Sequence, residues 1–299
     1  METLFRTWII RAFILLTLLS VIAAGVYTAF RKPEVVPLPQ EPVVEEDIVV
    51  QYQVIGTSVE GRPIEAFTYG TGDTRLLFVG GIHGGYEWNS VLLAYGVMDE
   101  FAADPSLVPE HLSITIVPSA NPDGVYAVVG KEGRFTAADV PEVADGAGRF
   151  NANQVDLNRN FDCKWQPESM WRGNVVSAGT AAFSEPEARA LRDLVLATNP
   201  AAVIFWHSQS NAVYASECEE GVLPSTRTLM NTYATAAGYP AVDSFTAYPI
   251  TGDAEGWLAT LGIPAVTVEL STHESIEWTK NWAGVQALLA HYGTESLAR

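Results

Sequence analysis

The stretch GGIHGGYEWN, residues 80–89, sets His83 and Glu87 four positions apart across two glycines and a tyrosine. His207 follows in FWHSQS and Glu269 in TVEL, each near the end of an apolar run. Two imidazoles and one carboxylate form a ligand set suited to hydrolytic zinc, which takes about three protein ligands and keeps one position open for water. Such an ion acidifies the water and polarises a carbonyl. A carboxylate outside the ligand set must then take the proton and deliver it to the leaving group. Glu269 stands in a strand too apolar to hold a carboxylate without purpose, and that role is expected of it. A lone histidine at a strand end is ordinarily a hydrogen-bonded structural residue, and His111, His273 and His291 are read in that way.

The segment QVDLNRNFD, residues 154–162, sets Asn158 beside Arg159. An amide next to a planar guanidinium fork suits bidentate capture of a carboxylate, which lysine cannot reproduce. Arg149, in GRFNAN, is a second cation close by in sequence. An activated water together with a carboxylate clamp points to hydrolysis of an amide one residue from a free C-terminus.

These groups need elements to bring them together. RLLFVGGIHG, LSITIVPSANPDG, AAVIFWHS and PAVTVEL are continuous apolar runs with the pattern of buried strands. VVQYQVIGTSVEGRPIEAFTYG reads as two strands joined through Glu60 and Gly61. Helical spacing marks EWNSVLLAYGVMDEFAAD and SIEWTKNWAGVQALLAHY, and Ser184 with Glu187 is expected to form a capping box before ARALRDLVLAT. Alternating strands and helices imply an α/β sheet with helices on both faces. His83, Asn121, His207 and Glu269 all fall at carboxyl ends of strands, where open α/β sheets bind ligands.

The bulk composition narrows the partners. Of 299 residues, 35 are acids and 17 are lysine or arginine, for a net charge of −18. Such a surface repels nucleic acid and anionic lipid, so nucleic-acid binding is excluded first. Residues 12–30 form an uncharged apolar stretch behind Arg6 and Arg11, about 28 Å long as a helix, and are expected to be an uncleaved signal anchor, with a cleaved signal peptide and a secreted chain as the alternative. The following proline-rich acidic segment reads as a semi-rigid spacer. The expected organisation is an anchor over 1–32, a linker over 33–47 and a catalytic domain over 48–299, held outside the cytoplasm as a monomer. Cys163 and Cys218 are the only cysteines, and a disulfide and two buried thiols both remain open here.

GGIHGGYEW, NPDG, VDLNRNFD, FSEPEARAL, FWHSQS and TVEL occur in that order. Together they resemble the zinc metallocarboxypeptidase family (M14, carboxypeptidase A type) over roughly residues 50–295. The resemblance implies a mixed, mostly parallel eight-stranded sheet flanked by helices. It implies one zinc on His83, Glu87 and His207, Glu269 as general base and acid, and Asn158 with Arg159 on the terminal carboxylate of a peptide. Arg149 is similar to the arginine that stabilises the oxyanion in bacterial members. Tyr248 is similar to the mobile tyrosine that closes over substrate. The family places two residues between its first histidine and the glutamate, whereas this chain has three, with Tyr86 at the usual carboxylate position. Glycines after His83 let the loop bulge, so Glu87 is expected to ligate.

Asp253 and Glu255 fall in the segment that lines the family's pocket for the C-terminal side chain. An acid there favours lysine, arginine or the amino-carboxyl end of diaminopimelate, as in peptidoglycan stem peptides; solvated helix-start residues are the alternative. The rival readings are an N-acyl amino acid deacylase of the aspartoacylase or succinylglutamate desuccinylase type, and a zinc-free module that binds C-terminal peptides.

Overall fold

The computed structural model describes residues 8, 11, 13–22 and 50–295. The expected spacer over 33–47 lies outside the described residues, as does much of the expected anchor. Residues 13–22 are helical and exposed, and no described helix is long and apolar enough to cross a membrane. The chain divides into two compact units, Met1–Asp47 and Ile48–Arg299, and all the described strands belong to the second.

In chain order the elements of this second unit are the hairpin β1 (Gln51–Thr57) and β2 (Pro63–Tyr69), then β3 (Thr74–Val79), α1 (Trp88–Ala103), β4 (Leu112–Val117) and α2 (Pro122–Val129). A second hairpin, β5 (Glu168–Trp171) and β6 (Asn174–Ser177), precedes α3 (Pro186–Thr198). Then come β7 (Ala202–Ser208), β8 (Ala212–Ala215), β9 (Glu217–Cys218), β10 (Gly221–Val222), α4 (Pro224–Ala237), β11 (Ala241–Val242), α5 (Ala254–Thr260), β12 (Ala265–Leu270) and α6 (Trp278–Glu295).

Eight strands form one sheet in the order β1-β2-β4-β3-β7-β12-β8-β11. The four junctions β4-β3, β3-β7, β7-β12 and β8-β11 are parallel and the other three antiparallel, so the sheet is mixed and mostly parallel, as expected. Because side chains alternate along a strand, each central strand feeds two cores. Ile204, Trp206, Val266 and Val268 pack against Leu93 and Phe101 of α1, Tyr233 of α4 and Leu288 of α6. Val203, Phe205 and Ala265 point to the other face, toward Leu191 of α3 and Trp257 of α5. The buried Trp206 stacks on Phe78 at 5.1 Å and donates its indole N–H to Tyr233 Oη at 3.1 Å, so its one polar atom is satisfied.

Two features of the sheet position the site. Glu269 of β12 lies directly opposite His207 of the parallel strand β7. Register partners point to the same face, so both side chains emerge together near the carboxyl end of the sheet. Asn121, after β4, caps α2 by accepting the Gly124 N–H at 2.9 Å, so NPDG starts a helix as well as ending a strand.

The capping box expected at Ser184 and Glu187 does not form. Glu185 is the N-cap residue, one position later, with no side-chain cap of its own. Glu187 therefore sits too near the helix start to reach back; it accepts the Val59 N–H, while Ser184 Oγ donates to Glu185. Cys163 and Cys218 form a disulfide that ties the segment after Arg159 to β9. Its closed loop spans a separation of 55 residues.

Candidate active site

The extra residue between His83 and Glu87 is absorbed by a short 3-10 turn over Gly84–Glu87. Gly84 has φ +49°, and a Cβ there would meet Gly148 O at 2.5 Å and the Gly124 Cα at 2.8 Å. Glycine is thus required for both conformation and space, and the bulge it permits turns Glu87 back onto His83. Gly84→Ala is expected to cost about 1–3 kcal/mol and to weaken metal binding, because strain and clash fall on the turn carrying Glu87. A thermal melt with a zinc titration checks this; unchanged zinc affinity would remove the turn from the account.

His83 Nδ1 lies 2.8 Å from Glu87 Oε1, His207 Nδ1 lies 3.0 Å from Glu87 Oε2, and the two Nδ1 atoms are 3.2 Å apart. These three side chains are the group able to hold a metal ion among the described residues. Zinc bonds of 2.0–2.1 Å in tetrahedral geometry place ligand atoms about 3.3 Å from one another, close to this spacing. The donor set also fits in its chemistry, since two imidazoles and a carboxylate are hydrolytic zinc ligands. Behind each ring stands a further carboxylate: Asp156 Oδ1 is 3.3 Å from His83 Nε2, and Glu255 Oε1 is 3.2 Å from His207 Nε2. Such outer partners fix the tautomer, leaving Nδ1 free to ligate.

The local electrostatics are strongly negative at the rings. Burial alone would lower the His207 pKa, but Glu87 and Glu255 override it and hold the imidazole well above its ordinary value. Burial would raise Glu87, yet His83 and His207 keep it far below the usual carboxylate range. Asp156 is likewise held well below that range against its burial, by Arg149, Arg159 and His83. Glu269 behaves in the opposite way: burial, then the charge of Glu87, pushes it up to about 7. Its Oε2 is enclosed and has no hydrogen-bond partner. A bound dication would oppose that rise.

Arg149 is buried and gives Nε and Nη2 to Asp156 Oδ2 at 3.1 and 2.8 Å, while its Nη1 stands 3.8 Å from Glu87. Its guanidinium lies over the Trp171 ring, 4.4 Å from the centroid. Arg159 is also buried, with Nη2 3.4 Å from Met170 O and an Nε that lacks a partner. Asn158 Oδ1 accepts the Ala254 N–H at 2.8 Å, coupling this loop to the start of α5. Tyr248 packs on Phe245 at 4.8 Å, and burial raises its hydroxyl above the ordinary tyrosine value.

Asp253 is the N-cap of α5 and accepts the Gly256 N–H at 2.7 Å; burial and then Glu255 push it up to about 6. Glu255, in the first turn, is buried and not solvated. Its Oε1 accepts from Thr267 Oγ1 at 2.9 Å as well as facing His207.

The ten residues given a role from the sequence line one cavity of about 430 Å³: His83, Glu87, Arg149, Asn158, Arg159, His207, Tyr248, Asp253, Glu255 and Glu269; Asn121 is not part of its lining. Sequence reasoning missed Asp156, although it lies within VDLNRN; only its approach to His83 in space reveals it. It also missed the wall made by Tyr86, Trp171 and Arg172. The bonded partners of two other histidines are seen: His111 Nε2 is 3.2 Å from Tyr292 O, and His273 Nδ1 is 2.7 Å from Ser208 Oγ.

Residues 43–292 match the family model described as zinc carboxypeptidase. The chain is 26% identical to murein peptide amidase A of Escherichia coli K12 over 255 residues, covering 82% of this chain and 91% of that protein. It is 25% identical to gamma-D-glutamyl-L-diamino acid endopeptidase 1 of Lysinibacillus sphaericus over 240 residues, 73% of this chain but 60% of that longer protein. A solved carboxypeptidase A from Helicoverpa armigera superposes with a TM-score of 0.66 at 21% identity, covering 84% of this chain and 70% of the other, and shares the fold. With the family match spanning most of its length, this chain belongs to the zinc carboxypeptidase family.

Proposed function

We propose that the protein is a zinc-dependent peptide hydrolase that cleaves the amide bond before a C-terminal residue, with peptidoglycan peptides as its substrates. The observation that carries this reading is one cavity holding a three-ligand cluster backed by two carboxylates, a separate enclosed carboxylate and two buried arginines. His83, Glu87 and His207 hold the ion. When bound, zinc supplies a Lewis acid for the scissile carbonyl and acidifies the attacking water. Glu269 takes the proton of that water and hands it to the departing amine. Arg149, anchored by Asp156, offers its remaining Nη1 to the oxygen on which charge develops. Arg159, with Asn158, receives the substrate's terminal carboxylate on its guanidinium fork. Tyr248 closes the cavity from the loop between β11 and α5.

Glu255 and Asp253 set the polarity of the side-chain pocket, which favours a cationic or amino-bearing end. The resemblance to a murein peptide amidase and to a gamma-D-glutamyl-L-diamino acid endopeptidase supports a diamino acid there. The disulfide is consistent with an oxidising compartment, and we place the catalytic unit outside the cytoplasm behind the apolar stretch 12–30.

The test is zinc content and hydrolysis on one preparation. About one zinc per chain is expected, with cleavage of peptides ending in lysine or diaminopimelate that stops on chelation and returns with zinc. A chain that neither holds nor takes up zinc would be a peptide-binding relative. Cleavage of N-acyl amino acids but no peptide would make it a deacylase.

A further inference from the structure

The inserted Tyr86 and the tip of the β5–β6 hairpin meet at one end of the active-site cavity. Tyr86 packs edge-on against Trp171 at 5.3 Å and against the His273 ring at 4.4 Å. Its hydroxyl accepts from Arg172 Nη1 at 3.4 Å. Arg172 is the first residue of a two-residue turn, between the paired Trp171 and Asn174, and has φ +49°. Turns of this kind favour asparagine or glycine at that position, because other side chains crowd the backbone at positive φ. An arginine there strains the turn while pointing a guanidinium into the cavity wall.

This guanidinium remains available. Its contacts to Tyr86 and to Asp145 both run through Nη1, and the Asp145 pair at 2.8 Å is exposed on both sides. An exposed pair of this kind is weak and exchangeable. Nε and Nη2 make no hydrogen bond to the described residues.

The position of this wall tells which part of a substrate it meets. A second cavity of about 220 Å³ adjoins the first and shares Tyr214, Phe245, Ile250, Asp253, Glu255 and Thr267 with it, but not Tyr86, Trp171 or Arg172. If the side chain of the C-terminal residue takes the region the two cavities share, the acyl part of the substrate is left to the region that Tyr86, Trp171 and Arg172 line.

We infer that Tyr86, Trp171 and Arg172 form a receptor for a free carboxylate on the acyl-side residue, next to the scissile amide. This inference rests on the peptide-hydrolase reading for its orientation. A glutamyl residue linked through its γ-carboxyl presents such a group, its α-carboxylate, close to the bond that is cut. Arg172 receives it in place of Asp145, and the two rings bound the path of the chain.

The test uses the full chain carrying Glu269→Gln, loaded with zinc, and measures binding rather than turnover. The probes are γ-D-glutamyl-diaminopimelate and the same peptide with its glutamyl α-carboxylate converted to the amide. The acid is expected to bind about tenfold more tightly, the scale of one hydrogen bond to a charged group. Adding Arg172→Asn, a residue that suits the turn, should bring the two affinities together; Arg172→Lys should restore part of the difference. Equal affinities for acid and amide, a preference untouched by Arg172→Asn, or no binding of the acid peptide would each overturn the receptor. If the wild-type chain hydrolyses neither peptide while the Arg172-dependent preference persists, the hydrolase reading falls and the receptor stands.

Discussion

Replacing Glu269 by glutamine should lower kcat on a C-terminal peptide by about 10²–10⁴-fold, the range of general acid–base catalysis, while leaving about one zinc per chain. The substitution keeps shape and removes the basic oxygen. Glu269 is not among the three clustered ligand groups, so metal content separates its role from theirs. Its Oε2 is enclosed and unpartnered, and burial raises its proton affinity while a bound dication opposes that rise, so it can hold a proton briefly. Zinc content by elemental analysis and single-turnover rates measure the two quantities. A variant retaining wild-type kcat would transfer the proton role elsewhere; one that lost zinc would make Glu269 part of the metal's support.

Arg159→Ala should reduce kcat/KM on the same peptide by about 10²-fold or more, as expected when one partner of a buried charge pair is truncated. Arg159→Lys should recover little of it, since a lysine keeps the charge but loses the planar fork. The discriminating substrate is a peptide whose C-terminus is amidated. It lacks the carboxylate, so the wild-type and Arg159→Ala chains should cleave it at similarly low rates. An equal loss on both peptides would mean that Arg159 acts through Asp156, whose low pKa it helps maintain, and not on the substrate.

The sheet is legible in the sequence because its central strands are uninterrupted apolar runs, and the ends of those runs carry the chemistry. His83, His207 and Glu269 can be placed from that pattern alone. The elements that escape notice are the short ones. β9, β10 and β11 have two residues each, too few for any periodicity. The hairpin ESMW-RG-NVVS carries an arginine where turn chemistry favours asparagine, which hides its signal. Asp156 and Glu255 show a different limit. Asp156 is an ordinary acid in sequence and Glu255 is read there as a pocket residue, and each becomes an outer partner of a histidine only when segments far apart in the chain pack together. The helix start at α3 falls one residue later than the capping-box pattern implies, because Glu185 takes the cap position between Ser184 and Pro186.

His207 and Glu269 occupy one rung of the sheet, on neighbouring parallel strands. Their separation is therefore set by backbone ladder spacing, about 4.8 Å, and not by any loop. The parts proposed to meet substrate hang from other supports: the Tyr248 segment, the start of α5 and the β5–β6 hairpin. Much of the selectivity is thus carried apart from this rung, with Glu255 at the start of α5 as the link that reaches back to His207. A library that varies residues 172–174 and 245–251 while leaving β7, β12, Trp171 and Glu255 untouched can explore new peptides on an unchanged reaction centre. Pressure for a different substrate would be expected to leave its marks on those two segments first.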